Sequence, residues 1–217
     1  MEPSTIAVFD LDGTLTAGRS IENAFIKYLI KTHRLSADNI LNAVIYYLKN
    51  VLQDPVEAVK RNKMYLKGRT VQEVSMWISE FMDNHGEQLI SSAGFDFVRY
   101  HKELGHPAIL ITGAPDILVE KLPIRRLFDI VYATRLEIDN HTYSGRIESI
   151  HYYGKAKTGL VKKLAPELHA DLGRSYCYAD SCDDIEMMSL FGHPVAVHPD
   201  RHLKQVAMAY RWKIITT

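Results

Sequence analysis

Several features that mark particular classes of protein are missing from this sequence. No apolar run reaches the roughly 18 residues that a membrane-spanning helix needs, and there are only two cysteines, too few for a disulfide framework. The 26 Lys and Arg residues are balanced by 26 Asp and Glu residues, so the basic excess of a general nucleic-acid binder is absent. The first ten residues lack the pattern of a secretory signal. We therefore expect a cytoplasmic protein with no transmembrane segment and no nucleic-acid partner.

Glycine and proline are also scarce, with 12 and 8 residues among 217, while 47% of the chain is apolar. This composition favours a globular domain over a disordered chain. Four short apolar runs indicate strands buried on both faces of a parallel sheet: 5–9, 108–111, 176–179 and 194–197. Helical patterns cover about 88–104, 116–127, 155–165, 183–190 and 201–210. The alternation predicts an α/β fold with a Rossmann-like, doubly wound parallel sheet.

The segment from 18 to 86 shows no strand pattern and predicts four helices, near 19–33, 37–53, 55–67 and 71–84. We therefore expect a small all-helical cap inserted after the first strand, with residues 1–17 and 87–217 forming the core. A two-stranded hairpin is predicted near 133–147. The apolar, aromatic stretch 40–52 is expected to pack against neighbouring cap helices; the alternatives are contact with a lipid-like substrate or a dimer surface.

Polar residues follow three of the predicted strands at once: Asp10, Thr112 and Asp180. Ligands of doubly wound sheets bind outside the carboxyl ends of the strands, so these three side chains are expected to converge at one edge. Asp12 adds a second carboxylate two residues after Asp10, and Gly13 permits a tight turn there. The plainer alternative is an Asp-rich turn that only caps the next helix.

Four motifs in order give the chain a specific resemblance. DLDGTLT lies at 10–16, Thr112 follows AILI, Lys157 lies near the head of a predicted helix, and an acidic loop from 180 to 184 follows YCYA. This arrangement resembles the haloacid dehalogenase (HAD) superfamily, in particular the phosphoserine-phosphatase-like subfamily IB, with the helical insert in the C1 cap position. Ala179 departs from the pattern, since the family often has Gly there.

The resemblance implies a Mg²⁺-dependent phosphatase that forms an aspartyl-phosphate on Asp10. Asp12 would act as the general acid and base. The implied Mg²⁺ ligands are the carboxylates of Asp10 and Asp180 and the backbone carbonyl of Asp12. Asp184 would lie beside the metal, and Asp183 is the less favoured candidate for that role.

The resemblance also assigns groups to the phosphate. The Thr112 hydroxyl and the Gly113 N–H would contact a phosphoryl oxygen, with the N-terminus of the predicted helix 116–127 pointing at the anion. Lys157 would supply positive charge, and Lys155 competes with it for that role.

Specificity in this family is expected to come from the cap. Arg19 stands where phosphoserine phosphatases have a Glu for the substrate amino group, so we expect phosphoserine to be a poor substrate and a second anionic group to suit the site. Arg61 is a further candidate for binding the substrate. Glu22 and Lys63 also lie where the cap could reach the ligand. The expected partner is a small phosphorylated metabolite; the oligomeric state is not predicted. The alternatives are a phosphotransferase or phosphomutase, or a catalytically silent binding protein of the same fold.

Overall fold

The computed structural model describes residues 4–18, 20–148 and 150–216. Its centre is a six-stranded, all-parallel sheet in the order β3-β2-β1-β6-β7-β8, and β4 and β5 form a separate antiparallel pair. The strands are β1 (Ala7–Phe9), β2 (Ala108–Pro115), β3 (Ile130–Thr134), β4 (Leu136–Asp139), β5 (Thr142–Ile147), β6 (Tyr176–Ala179), β7 (His193–Val197) and β8 (Lys213–Ile215).

Helices cover the sheet and fill the insert between β1 and β2. They are α1 (Ile21–Lys31), α2 (Ala37–Asn50), α3 (Pro55–Lys60), α4 (Val71–Leu89), α5 (Ser92–Glu103), α6 (Asp116–Val119), α7 (Lys155–Glu167), α8 (Ile185–Met188) and α9 (Arg201–Ala209). Short 3-10 turns cover Met64–Leu66, Pro123–Leu127, Leu172–Arg174 and Cys182–Asp184. Among the described residues, no helix is both long and apolar enough to cross a bilayer.

The core lies on both faces of the sheet. Ala7 and Phe9 of β1 belong to one apolar cluster, whereas Ile6 and Val8 belong to the cluster on the opposite face. All four side chains are almost fully buried. This two-sided burial explains why the strand sequences are continuous apolar runs, and it confirms the predicted α/β class with a Rossmann-like parallel sheet.

The strand prediction missed two members of the sheet. The predicted hairpin near 133–147 includes the end of β3, but β3 pairs with β2 in the main sheet. The hairpin consists of β4 and β5 alone. β8 is a three-residue edge strand without a distinctive apolar run. β2 also continues to Pro115, with a register shift against β3 after Ile111, so Thr112 lies within the strand rather than just after it.

Several predicted helices are shorter or divided. The predicted helix 116–127 is a four-residue α6 followed by a 3-10 turn that starts at Pro123. The predicted helices 55–67 and 183–190 are each a short helix joined to a 3-10 turn. The predicted helix 88–104 begins only at Ser92, because α4 continues to Leu89 and Ser91 caps α5 by accepting a bond from the Gly94 N–H.

The division into a cap (18–86) and a core (1–17 and 87–217) stays a proposal. Helices α1 to α4 occupy the insert, in agreement with its predicted helical character. The proposed second boundary falls inside α4 rather than at its end. Thr16 and Ile90 form an antiparallel bridge, which brings the two ends of the insert together beside the sheet.

We predict opposite effects from alanine at two helical glycines. A Cβ at Gly94 would lie 2.4 Å from the carbonyl oxygen of Leu15, so the backbone of the first motif would have to move. Gly94→Ala should therefore lower the free energy of unfolding by about 2 kcal/mol. Gly159, in α7, has nothing within 4 Å of such a Cβ, and Gly159→Ala should raise it by about 0.5–1 kcal/mol. Urea unfolding measures both; equal effects would contradict the steric argument.

Candidate active site

Three candidate residues lie at the carboxyl edge of the central strands. Asp10 directly follows β1, and its N–H donates to the Tyr178 carbonyl of β6 at 2.9 Å. Asp180 directly follows β6, and Thr112 lies in β2 on the other side of β1. The side chains line one cleft of about 730 Å³ that runs from this edge to the helices of the insert.

A buried lysine joins two carboxylates on the floor of this cleft. The Lys157 Nζ lies 2.6 Å from Asp10 Oδ1 and 2.8 Å from Asp184 Oδ2. All three side chains are less than a tenth exposed. Burial alone would lower the pKa of Lys157, but the charges of Asp10 and Asp184 hold it above its ordinary value. The competing Lys155 is exposed and does not line the cleft.

The loop of the first motif holds Asp10 and Asp180 close together. The Thr14 hydroxyl lies 3.2 Å from Asp10 Oδ2 and 3.3 Å from Asp180 Oδ1, so it links the two acids. Gly13 has φ +83°, and a Cβ there would lie 2.1 Å from Asp180 Oδ2. Glycine is therefore required both by the backbone and by the close approach of Asp180.

Burial and neighbouring negative charges disfavour the charged forms of Asp180 and Asp184. Burial, together with the charges of Asp10 and Asp184, raises the pKa of Asp180 to about 7. Burial also raises the pKa of Asp184, although Lys157 opposes the shift. The neighbouring Asp183 lines the same cleft but has other partners, since its carboxylate accepts bonds from the Tyr153 hydroxyl and from Lys60 of α3.

Asp12 occupies a separate position at the entrance to α1. Its Oδ1 accepts a 2.9 Å bond from the Ile21 N–H. Burial raises the pKa of Asp12 to about 7; the bond from Ile21 lowers it in part, and the charge of Asp10 raises it further. A carboxyl group with a pKa near neutrality can both give and take a proton at physiological pH.

The Thr112 and Gly113 groups predicted for the phosphate line the same cleft. The Thr112 hydroxyl oxygen accepts a 3.1 Å bond from the Ala114 N–H, and Gly113 lines the cleft beside it. The helix that follows is shorter than predicted, because α6 has only four residues, and the approach of its N-terminus to the phosphate stays a prediction.

His151 is a cleft residue that sequence reasoning missed. Its Nδ1 lies 3.1 Å from the Thr134 hydroxyl, while its buried Nε2 has no hydrogen-bond partner among the described atoms. A Cβ on Gly113 would lie 3.0 Å from His151 Cε1, so the ring packs against the predicted phosphate site. Burial lowers the pKa of His151 to about 3, so its ring is neutral at physiological pH.

The candidate residues of the insert differ in their placement. Arg61 does not line the cleft and forms a 3.6 Å surface pair with Glu57, but its charge acts on His151 in the cleft. Its contact with substrate stays a prediction. Glu22 does line the cleft, where it is held by the buried Lys63 Nζ at 2.6 Å and by the Tyr65 hydroxyl at 2.9 Å. Arg19 lies outside the described residues.

Two curated proteins resemble this chain over almost its whole length. Phosphoserine phosphatase SerB1 of Mycobacterium tuberculosis (strain ATCC 25618 / H37Rv) is 28% identical over 214 residues, which are 96% of this chain and 69% of that protein. Histidinol-phosphatase of Neisseria meningitidis serogroup C (strain 8013) is 27% identical over 224 residues, or 97% of each chain.

Solved structures share the fold. A protein of unknown function from Bordetella pertussis Tohama I superimposes with a TM-score of 0.81 at 24% identity and covers 99% of both chains. The family model described as haloacid dehalogenase-like hydrolase matches residues 7–189. This range contains Thr112, Lys157 and the candidate site aspartates from Asp10 to Asp184. The chain therefore belongs to the haloacid dehalogenase-like hydrolase family.

Proposed function

We propose that this protein hydrolyses a phosphomonoester through an aspartyl-phosphate formed on Asp10. The observation that carries the proposal is the buried contact between Asp10 and Lys157 on the floor of an open cleft. The similarity to two proteins named as phosphatases supports the same reaction class. Because those two names specify different substrates, they do not choose a substrate for this chain.

In the first half of the reaction, an Asp10 carboxylate oxygen attacks the phosphorus atom. The bond between phosphorus and the ester oxygen breaks, and Asp12 gives its proton to the departing alkoxide. Asp12 is suited to this step because its raised pKa of about 7 keeps much of it protonated at neutral pH. The products are a free alcohol and a phosphorylated Asp10.

In the second half, Asp12 takes a proton from a water molecule as the water oxygen attacks the same phosphorus atom. The bond from phosphorus to Asp10 breaks, which releases inorganic phosphate and restores the Asp10 carboxylate. Lys157 supplies the positive charge next to the phosphoryl group throughout, and Thr112 and Gly113 offer a hydroxyl and an N–H to its oxygens.

The floor of the cleft fits a Mg²⁺ ion. Asp10, Asp180 and Asp184 lie around Lys157 there, so the floor would repel a phosphate dianion. Asp184 Oδ1 is buried and has no hydrogen-bond partner among the described residues. Within the described ranges, no three His, Cys, Asp or Glu side chains could hold a metal by themselves. A Mg²⁺ site does not need three such side chains, since Mg²⁺ keeps several waters. Two carboxylates and a backbone carbonyl, together with water, can complete its coordination.

We propose that Asp10, Asp180 and the Asp12 carbonyl would hold the ion, with Asp184 beside it. When bound, Mg²⁺ offsets the repulsion between the nucleophile and the phosphate. Thr14 keeps the two ligand carboxylates together, and Gly13 leaves room for Asp180.

We still predict that phosphoserine is a poor substrate. The cleft carboxylate nearest in sequence to position 19 is Glu22, and its charge is already compensated by Lys63. A substrate ammonium group would have to compete with that buried pair.

A cytoplasmic location also stays part of the proposal; it is supported by two cysteines that are both free.

We predict that Asp10→Asn abolishes phosphate release from every monoester tested, with a loss of at least about 10³-fold in kcat/KM, because an amide cannot replace the nucleophilic carboxylate. The matched control is Asp183→Asn, an acid of the loop after β6 that lines the same cleft but is bonded to Tyr153 and Lys60 instead. It should retain activity within about tenfold. Steady-state release of phosphate with Mg²⁺ measures both, and equal activity of wild type and Asp10→Asn would rule out the mechanism.

We predict that Mg²⁺ raises the melting temperature of the wild-type protein by several degrees relative to EDTA, since a ligand that binds only the folded state stabilises it. Asp180→Asn should lose most of this shift, because it removes one of the two proposed carboxylate ligands. Asp183→Asn should keep the shift. A thermal shift that is the same in all three proteins would place the metal elsewhere.

A further inference from the structure

One wall of the cleft is apolar and continuous with the catalytic floor. Beyond Asp10 and Lys157, the same cavity is lined by aliphatic and aromatic side chains of the insert. Those from α1 to α3 and their connections are Ile26, Ile30, Leu35, Ile40, Val44, Tyr47 and Val59.

Ile26 and Leu35 are partly buried against the core, whereas the other wall side chains are largely uncovered. Ile40, Val44 and Val59 are 52%, 48% and 60% exposed, and Ile30 is 56% exposed. The expected packing of the stretch 40–52 against cap elements is found on one side, where α2 contacts α3 and the turn Met64–Leu66. The apolar side chains on the rest of α2 stay exposed. Contiguous exposed apolar surface next to a polar site is typical of a binding groove.

The spacing of these residues makes the wall an elongated strip. Ile40, Val44 and Tyr47 are separated by four and three residues and therefore share one face of α2, along about 10 Å of helix. Ile26 and Ile30 share one face of α1 in the same way. A strip of this length matches an extended chain better than a compact polar group.

The charged cleft residues between the floor and the wall already have partners within the protein. Glu22 and Lys63 neutralise each other, and Tyr65 donates to Glu22. Lys60 is already placed against the Tyr153 ring, 3.2 Å from its centroid, and 3.5 Å from Asp183. The part of a substrate that lies beyond its phosphate therefore meets compensated charges first and apolar side chains next.

We propose that the cleft takes a phosphomonoester that carries an extended apolar group, an alkyl or acyl chain. Its phosphate lies on the floor between Lys157 and Thr112, and its chain lies along the strip formed by α1 and α2. This inference rests on the proposed phosphatase activity, and it names the substrate class of the same site.

The test is a series of n-alkyl phosphates from ethyl to octyl, each below its micelle concentration. Burial of each methylene in the wild-type protein should raise kcat/KM about two- to fourfold until the chain covers the strip. Phosphoserine should be no better than ethyl phosphate. A kcat/KM that does not change with chain length would overturn the proposal.

Matched variants on α2 separate the strip from the helix as a whole. Ile40→Ser/Val44→Ser removes two strip residues and should lower kcat/KM for octyl phosphate at least tenfold, while ethyl phosphate stays within twofold. Leu41→Ser/Leu48→Ser is the control, because these leucines are 57% and 62% exposed on the same helix but do not line the cleft. Equal losses in the two variants would overturn the proposal.

Two further measurements cover the remaining outcomes. Hydrolysis of ethyl phosphate that depends on Asp10, without a chain-length effect, would reject this inference and leave the proposed function intact. If no ester is hydrolysed, calorimetric binding of octylphosphonate still tests the strip: weaker binding to Ile40→Ser/Val44→Ser than to the leucine control supports it, and equal binding overturns it. Light scattering that shows a dimer only with Ile40 and Val44 intact, with an unchanged chain-length profile, would instead make this face a contact between two copies.

Discussion

The buried ammonium group of Lys157 determines how the floor of the cleft is organised. It lies within 2.8 Å of carboxylate oxygens from two distant parts of the chain, and it brings α7 against the loop after β1 and the loop after β6. In a site with so little exposure, removal of one partner would leave an uncompensated buried charge, which is far more costly than the loss of a surface pair. Stability and reactivity at this site therefore depend on the same contact.

One lysine does not balance the surrounding acids, and this imbalance is useful for the chemistry. Burial, as the larger cause, and the charge of Asp10 both raise the pKa of Asp12 and of Asp180. A cation beside these acids would offset their mutual repulsion before a phosphate group enters. The raised pKa of Asp12 suits the proposed exchange of a proton near neutral pH.

The fold of the sheet and most of the candidate floor could be predicted from the sequence, because both depend on local signals. Asp10 and Asp180 directly follow apolar runs, and parallel strands bring their carboxyl ends to one edge. The failures have equally local causes. Pro123 ends a helical pattern that continues in the residue types around it, and β8 has only three residues. Whether a helix is covered or exposed depends on its tertiary neighbours, so the open face of α2 could be given from the sequence only as an alternative to packing.

The same distinction applies to His151 and to the Glu22–Lys63 pair. No motif marks these residues, and their surroundings arise only when Gly113 or Tyr65 is brought beside them by the fold. The insert also reaches the catalytic loops directly, since Lys60 of α3 contacts both Tyr153 and Asp183. Because the floor is built from short-range motifs and the walls from long-range contacts, closely related floors can be combined with different walls. Relatives with similar chemistry can in this way act on different esters, and the substrate must be inferred from the walls.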